Sequence, residues 1–232
     1  MSKKLFLTGT GTDVGKTYVS GLILKKFQES GVRAAYYKAA MSGNARGPDG
    51  RLIPGDALHV KAVSGIGQPL EGMCPYVYEH PVSPHLAARM EGDPVQMHRV
   101  LETFDALCGE YSYVTVEGSG GILCPLRYEE ETLYLTDFIK ARKLPCLLIA
   151  DGGLGVINSV GLTVAYMKAA SIPLKGIILN HFQPGNPMHE DNRRMCEAIT
   201  GCKVVTCVKD GDTELDLSVT SLQALYEETE ES

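Results

Sequence analysis

An α/β fold is what this chain predicts: one mostly parallel central sheet with helices on both faces. Three observations point to it. Short apolar runs alternate along the chain with segments whose apolar residues recur at helical spacing, as in Leu5-Phe6-Leu7 followed by Val19, Leu22, Ile23 and Phe27. A glycine-rich turn, Thr8-Gly9-Thr10-Gly11-Thr12-Asp13-Val14-Gly15-Lys16-Thr17, joins that first strand to that first helix. Finally, 232 residues suffice for one substantial core, and no linker or internal repeat divides them, so residues 1–232 read as a single domain.

After the first helix, Gly31 serves as a C-cap and Arg33 to Tyr37 reads as a second strand ending in Lys38. Met41 to Gly55, rich in Gly, Pro, Asn and Asp, is a loop, and Asp56 opens a helical segment. Ser83-Pro84-His85 has the Ser N-cap and first-position Pro of a helix start, which gives His85 a structural reading. A longer helix is expected over Val95–Leu107, and Tyr113–Val116 is a third strand ending in Glu117 and the turn Gly118-Ser119-Gly120-Gly121. The acidic run Glu129-Glu130-Glu131 reads as a solvated loop, and Leu135 to Ala141 as a short helix. A fourth strand over Pro145–Ala150 leads into Asp151-Gly152-Gly153-Leu154-Gly155, then a helix from about Asn158 to Ala170. A fifth strand over Leu174–Leu179 ends in Asn180. Met188 to Ile199 is helical, Lys203 to Cys207 a sixth strand and Leu222 to Tyr226 a closing helix, with a frayed acidic tail over 227–232.

The glycine-rich turn has the layout of a phosphate-binding loop, which places the fold among P-loop NTPase-like proteins. Glycines admit backbone N–H groups close to phosphate oxygens, and the following helix N-terminus favours anions. Lys16 can reach the β- and γ-phosphates and the Thr17 hydroxyl can ligate Mg²⁺. The common spacing puts a glycine where this chain has Thr10, flanked by Gly9 and Gly11.

In open α/β sheets ligands bind beyond the carboxyl ends of the strands. Four polar groups end strands at that edge here: the loop itself, Lys38, Glu117 and Asn180. Glu117 could complete a Mg²⁺ shell with Thr17. Asp56 is either a second Mg²⁺ ligand or the N-cap of its helix, and both roles stand at this stage. Lys38 could neutralise a transferring phosphoryl group, or be a solvated strand-end lysine. Gly118 to Gly121 offers close backbone approach, and the turn from Gly152 to Asn158, ending at a helix N-terminus, could hold a carboxylate or be an ordinary connection. No Ser/His/Asp or Cys/His pairing follows from spacing, and Cys124 has no evident partner, so nucleophilic catalysis by the protein is not expected.

The formal net charge of −6 argues against a protein that coats nucleic acid, and no apolar run is long enough to span a membrane. Seven scattered cysteines and six histidines without metal-ligand spacing fit reduced thiols rather than a disulfide framework or zinc site. Met1-Ser2-Lys3-Lys4 runs straight into the first strand, leaving no room for a signal peptide, so a cytoplasmic location is expected.

The combination of Thr8–Thr17, Tyr37-Lys38 with Ser42-Gly43, Asp56-Ala57-Leu58, Ser83-Pro84-His85, Val116 to Gly121 with Pro125-Leu126, and Gly155-Val156-Ile157-Asn158 resembles the dethiobiotin synthetase family. The similarity runs from Ser2 to about Pro184, and the longer spacing between Gly9 and Gly15 is typical of that family. The resemblance implies ATP- and Mg²⁺-dependent carboxylation of 7,8-diaminononanoate by CO₂, with ring closure to dethiobiotin, ADP and phosphate. It implies Lys16 and Lys38 as catalytic residues and Thr17, Asp56 and Glu117 as Mg²⁺ ligands. Asp13, Val14, Gly15, Lys16, Thr17, Tyr18, Asp56, Glu117, Gly118, Ser119, Gly120, Asn180 and Lys209 would hold the nucleotide, Asn180 reading its base. Thr12, Ser42 and Gly118 would hold the substrate, Ser42 at its carbamate end. Family members are homodimers, so Gly155, Val156, Ile157 and Asn158 would hold the substrate carboxylate from the partner chain.

Two departures stand out. Ala39 follows Lys38 where the family often has Pro, and Cys207-Val208-Lys209-Asp210-Gly211 replaces a run that usually contains Ile-Pro near the base. Other readings are a different P-loop amide-forming synthetase, which would call for a glutaminase domain this length cannot hold, and a partitioning-type ATPase switch. The switch type typically carries an additional early lysine in the loop, where this chain has Gly9-Thr10-Gly11.

Overall fold

A computed structural model describes residues 2–229. In chain order the elements are β1 (Lys3–Gly9), α1 (Lys16–Glu29), β2 (Ala34–Tyr37), β3 (Ala40–Met41), α2 (Gly55–Ser64), β4 (Tyr76–Val77), α3 (Pro84–Glu91), α4 (Met97–Glu110), β5 (Tyr113–Glu117), β6 (Pro125–Tyr128), β7 (Thr132–Tyr134), α5 (Leu135–Ala141), β8 (Cys146–Asp151), α6 (Val156–Ala169), β9 (Leu174–Asn180), α7 (Pro187–Thr200), β10 (Val204–Cys207), α8 (Val219–Gln223) and β11 (Glu227–Glu228). The main sheet runs β10-β9-β8-β1-β5-β2, and all of these strands are parallel.

Strand alternation assigns the two faces. Phe6, Ala35, Tyr37, Val114 and Val116 point to one side, where Ala87, Val100, Phe104 and Phe138 from α3, α4 and α5 cover them. Leu5, Leu7, Ala34 and Tyr36 point to the other, against Val19, Leu22, Ile23 and Phe27 of α1 and Ala57 and Val60 of α2. Farther along the sheet, Leu148, Ala150, Ile177 and Leu179 pack beneath α6 and α7. At the edge strand β2 the side chain of Gln68 acts as a substitute strand. Its Oε1 accepts from Tyr36 N at 2.8 Å and its Nε2 donates to Tyr36 O at 2.9 Å, so the exposed ladder is closed locally.

The tail departs from the sequence expectation. Glu227 and Glu228 form an antiparallel strand on β1, opposite Lys4 and Lys3. The physical reason is register: β8 begins to pair with β1 only at Phe6, leaving the first residues of β1 open on that side. Lys4 Nζ also donates to Thr229 O at 3.1 Å. The expectation for 230–232 lies outside the described residues. The segment expected to be loop around Glu129–Glu131 is the turn of the β6–β7 hairpin, with Arg127 paired to both Glu129 and Glu131. Helix α8 starts three residues before the expected Leu222 and ends at Gln223, and α6 begins two residues before Asn158.

Candidate active site

The sheet changes its direction of winding at β1, between β8 and β5, and a cleft of about 1050 Å³ opens beyond that point. The loop from Gly9 to Gly15 forms its floor. Asp13 and Gly15 sit at φ 60 and 87, in the left-handed region from which anion-binding concavities of backbone N–H groups are built. Gly15 has a second constraint. A Cβ there would lie 2.0 Å from Asn180 Nδ2, so no larger residue fits. That Asn180 amide donates to Val14 O at 3.2 Å and ties the end of β9 to the loop.

Register sets the remaining groups. Leu7 pairs with Glu117, so the last residue of β5 stands beside the root of the phosphate loop. Gly118 follows, and a Cβ there would meet the Phe6 ring at 3.0 Å, a packing reason for glycine at this turn. Ser119 Oγ donates to Ala40 O at 2.7 Å, joining this turn to the chain that carries Ser42. Asn44, buried, donates to Met41 O and Tyr78 O and accepts from Gly55 N at 2.9 Å. It thereby fixes the start of α2 and the place of Asp56. The N-cap of α2 is Pro54, not Asp56, so the capping alternative falls away.

The charged groups converge. Lys38 Nζ lies 2.6 Å from Asp56 Oδ2 and 2.8 Å from Glu117 Oε1. Thr17 Oγ1 donates to the same Glu117 oxygen at 2.8 Å, while Ser20 Oγ and Tyr36 OH donate to Oε2 at 2.9 and 3.0 Å. Burial alone would push the Lys38 ammonium down, but Glu117 and Asp56 outweigh it and hold it above its usual range. Lys16 goes the other way. Burial and the Lys38 charge lower it to about 8, with Glu117 and Asp56 offsetting only part, and its Nζ donates to Gly11 O at 2.8 Å. Burial and Glu117 raise the Tyr36 hydroxyl well above its usual range, so it remains a donor.

Of the residues singled out from sequence, Thr12, Asp13, Gly15, Lys16, Thr17, Lys38, Ser42, Asp56, Glu117, Ser119 and Gly120 line this one cleft. Val14, Tyr18, Gly118, Asn180 and Lys209 do not line it, nor do Gly155, Val156, Ile157 and Asn158. Tyr18 donates to Asp212 O and Lys209 pairs with Asp212 at 3.4 Å, in the exposed turn after β10. Gly155 is the N-cap of α6 at φ 92, and Val156, Ile157 and Asn158 are its first turn. Sequence reasoning missed Ser20, Tyr36 and His181. Tyr36 had one available signal: it stands two residues before Lys38 and so shares its side of the chain. Cys124 also lines the cleft, but burial raises its thiol to about 11 despite the pull of Lys16 and Lys38, so it is neutral near pH 7. All seven cysteines are free. His85 Nδ1 is buried without a hydrogen-bond partner.

The donor set suits a divalent cation of the hard type. Asp56 and Glu117 supply carboxylate oxygens, and Thr17 keeps lone pairs free while its proton goes to Glu117. Phosphate oxygens would find the loop N–H groups, Lys16 and Lys38 around them. Positioning and charge stabilisation of phosphoryl transfer are what this cleft can do.

A family model described as an AAA domain matches residues 3–213. The ATP-dependent dethiobiotin synthetase BioD of Brachyspira hyodysenteriae is 42% identical over 98% of this chain and 100% of its own length. The protein of the same name from Clostridium botulinum (strain Loch Maree) is also 42% identical over the same shares. Among solved structures, a ParA family ATPase from Chlorobium tepidum superposes with a TM-score of 0.57 at 12% identity, covering 91% of this chain and 86% of that one. The cell division protein MinD of Aquifex aeolicus gives 0.52 at 11% identity, over 90% and 83%. These two likenesses speak to the fold alone. With 42% identity over nearly its full length, the chain belongs to the ATP-dependent dethiobiotin synthetase family.

Proposed function

We propose that this chain is an ATP-dependent dethiobiotin synthetase, joining CO₂ to 7,8-diaminononanoate with closure of the ureido ring in biotin biosynthesis. The supporting observation is the convergence of Lys16, Lys38, Thr17, Asp56 and Glu117 on one cleft at the switch point of the sheet. One substrate amine takes up CO₂ as a carbamate, held at Ser42, with Thr12 and Gly118 also on the substrate. A carbamate oxygen attacks the γ-phosphorus of ATP and ADP departs. The second amine then attacks the carbamate carbon, and the C–O bond to the phosphoryl group breaks to release phosphate. Lys16 and Lys38 place positive charge where the transferring phosphoryl oxygens gather it. Mg²⁺ held by Thr17, Asp56 and Glu117 would neutralise phosphate charge when bound. Asn180 and Lys209 are assigned to the base side of the nucleotide, where Asn180 is tied to the loop and Lys209 is exposed.

The substrate carboxylate is assigned to Gly155–Asn158 of a second copy. The N-terminus of α6 favours an anion, and the adjoining surface is apolar: Leu154 is 94% exposed, Leu162 65% and Ile199 47%. A homodimer would cover these side chains. Among the described residues no helix is long and apolar enough to cross a membrane, and a cytoplasmic location fits the chemistry. The test is incubation with diaminononanoate, bicarbonate, Mg²⁺ and nucleotide, following dethiobiotin by mass. Nucleotide hydrolysis without dethiobiotin refutes the substrate assignment, and light scattering that finds only monomer refutes the shared site.

A further inference from the structure

The Glu117 carboxylate is buried, and its two oxygens are held by different kinds of group. Oε1 meets Thr17 and Lys38, which line the cleft. Oε2 meets Ser20 and Tyr36, which are fully buried behind it. Each oxygen has two partners, but those of Oε2 are buried away from the cleft, so Oε2 is turned from any ligand there, whereas Oε1 stands among groups that line it. The two hydroxyls are not equivalent. Ser20 Oγ has one proton and two acceptors, Lys16 O at 2.9 Å and Glu117 Oε2 at 2.9 Å. Among the described residues, Tyr36 OH has Glu117 Oε2 as its one partner, at 3.0 Å. The Tyr36 backbone is itself gripped on both its N–H and C=O by buried Gln68, so the position from which the phenol reaches is fixed.

We propose that Tyr36 is a positioning residue for the metal-binding carboxylate: its hydroxyl fixes the rotation of Glu117 so that Oε1 alone is presented to the cleft. Monodentate presentation suits Mg²⁺, which demands a near-ideal octahedral arrangement and gains little from a chelating carboxylate. Groups that orient a metal ligand from behind tune its affinity, with losses of about 10–100-fold when removed. The inference rests on the Mg²⁺ role proposed above.

The test is calorimetric binding of ADP to the full chain with and without Mg²⁺, comparing wild type with Tyr36→Phe. The ring keeps its place in the core, and only the hydroxyl is lost. The expected result is unchanged affinity without Mg²⁺ and about a tenfold loss of the Mg²⁺-dependent gain. Tyr37→Phe is the control. That neighbouring hydroxyl donates to Val100 O, on the opposite face of the sheet, and its removal should leave the Mg²⁺ gain intact. A Tyr36→Phe gain equal to that of wild type overturns the positioning role while leaving the function untouched. A merely structural role would weaken binding equally with and without Mg²⁺, and that outcome also overturns it. No Mg²⁺ gain in wild type would remove the metal reading itself, and the inference with it.

Discussion

The carboxyl ends of β2 and β5 differ from the surface beyond β9 and β10, although both lie along the same sheet edge. At the first, Lys38 and Glu117 have side-chain exposures of 8% and 0% and are committed to each other, to Asp56 and to a ring of hydroxyls. At the second, Lys209 and Asp210 are 55% and 75% exposed, in pairs with Asp212 and His181. Removing one partner of a buried pair leaves an uncompensated charge, whereas exposed pairs are worth about 0–1 kcal/mol. The first region therefore has a single arrangement, and the second can vary with little cost to the fold.

Lys38→Ala should have the largest effect. Turnover should fall by about a thousandfold with nucleotide binding retained, as expected for loss of one charge that acts on the transferring phosphoryl group, and the buried Glu117 left without its cation should also lower stability in urea unfolding. Unchanged turnover would take Lys38 out of the catalytic set. Asn44→Ala removes three hydrogen bonds, two buried ones that hold its amide to Met41 O and Tyr78 O and one from Gly55 N at the start of α2, and should cost about 2 kcal/mol in urea unfolding. Stability equal to wild type would mean that Asp56 is placed by other contacts.

Lys16 supplies a pH test. Lowered to about 8, its ammonium is almost fully charged a unit below that pH and loses its proton as pH rises through it, and a bound phosphate would pull the proton back on. Nucleotide affinity should be flat up to about pH 8 and then fall by up to about tenfold per unit as the free protein loses the proton. An affinity that rises above pH 8 would contradict the sign. Lys209→Ala should be the smallest change, within about twofold in KM for ATP, read alongside GTP and CTP. A large loss specific to ATP would show that the exposed turn does more than the contrast allows.

Much of the first region was legible because strand alternation is simple physics. Apolar runs that end in one polar residue announced Lys38 and Glu117, and the Gly-Lys-Thr turn announced the loop. Asp56 was ambiguous, because an acidic residue at a helix start looks the same whether it caps or faces a cleft. Only the position of Pro54 and the Lys38 contact separate the two. The β11 strand was not legible. Two glutamates have low strand preference, and they pair because the register of β8 leaves Lys3 and Lys4 unpartnered on that side. Tyr36 was hidden for a different reason. A tyrosine in a buried strand reads as core, and its one local signal, the two-residue spacing from Lys38, does not say that its hydroxyl ends on a carboxylate eighty-one positions away.

The central claim is that this cleft drives carboxylation through a phosphorylated carbamate, and oxygen tracing tests it most directly. Reaction started with ¹⁸O-labelled CO₂, diaminononanoate and ATP should yield dethiobiotin and phosphate in equal amounts. One labelled oxygen should appear in each phosphate, because the carbamate oxygen that attacks phosphorus leaves with it. Phosphate without label, or released without dethiobiotin, would contradict the account.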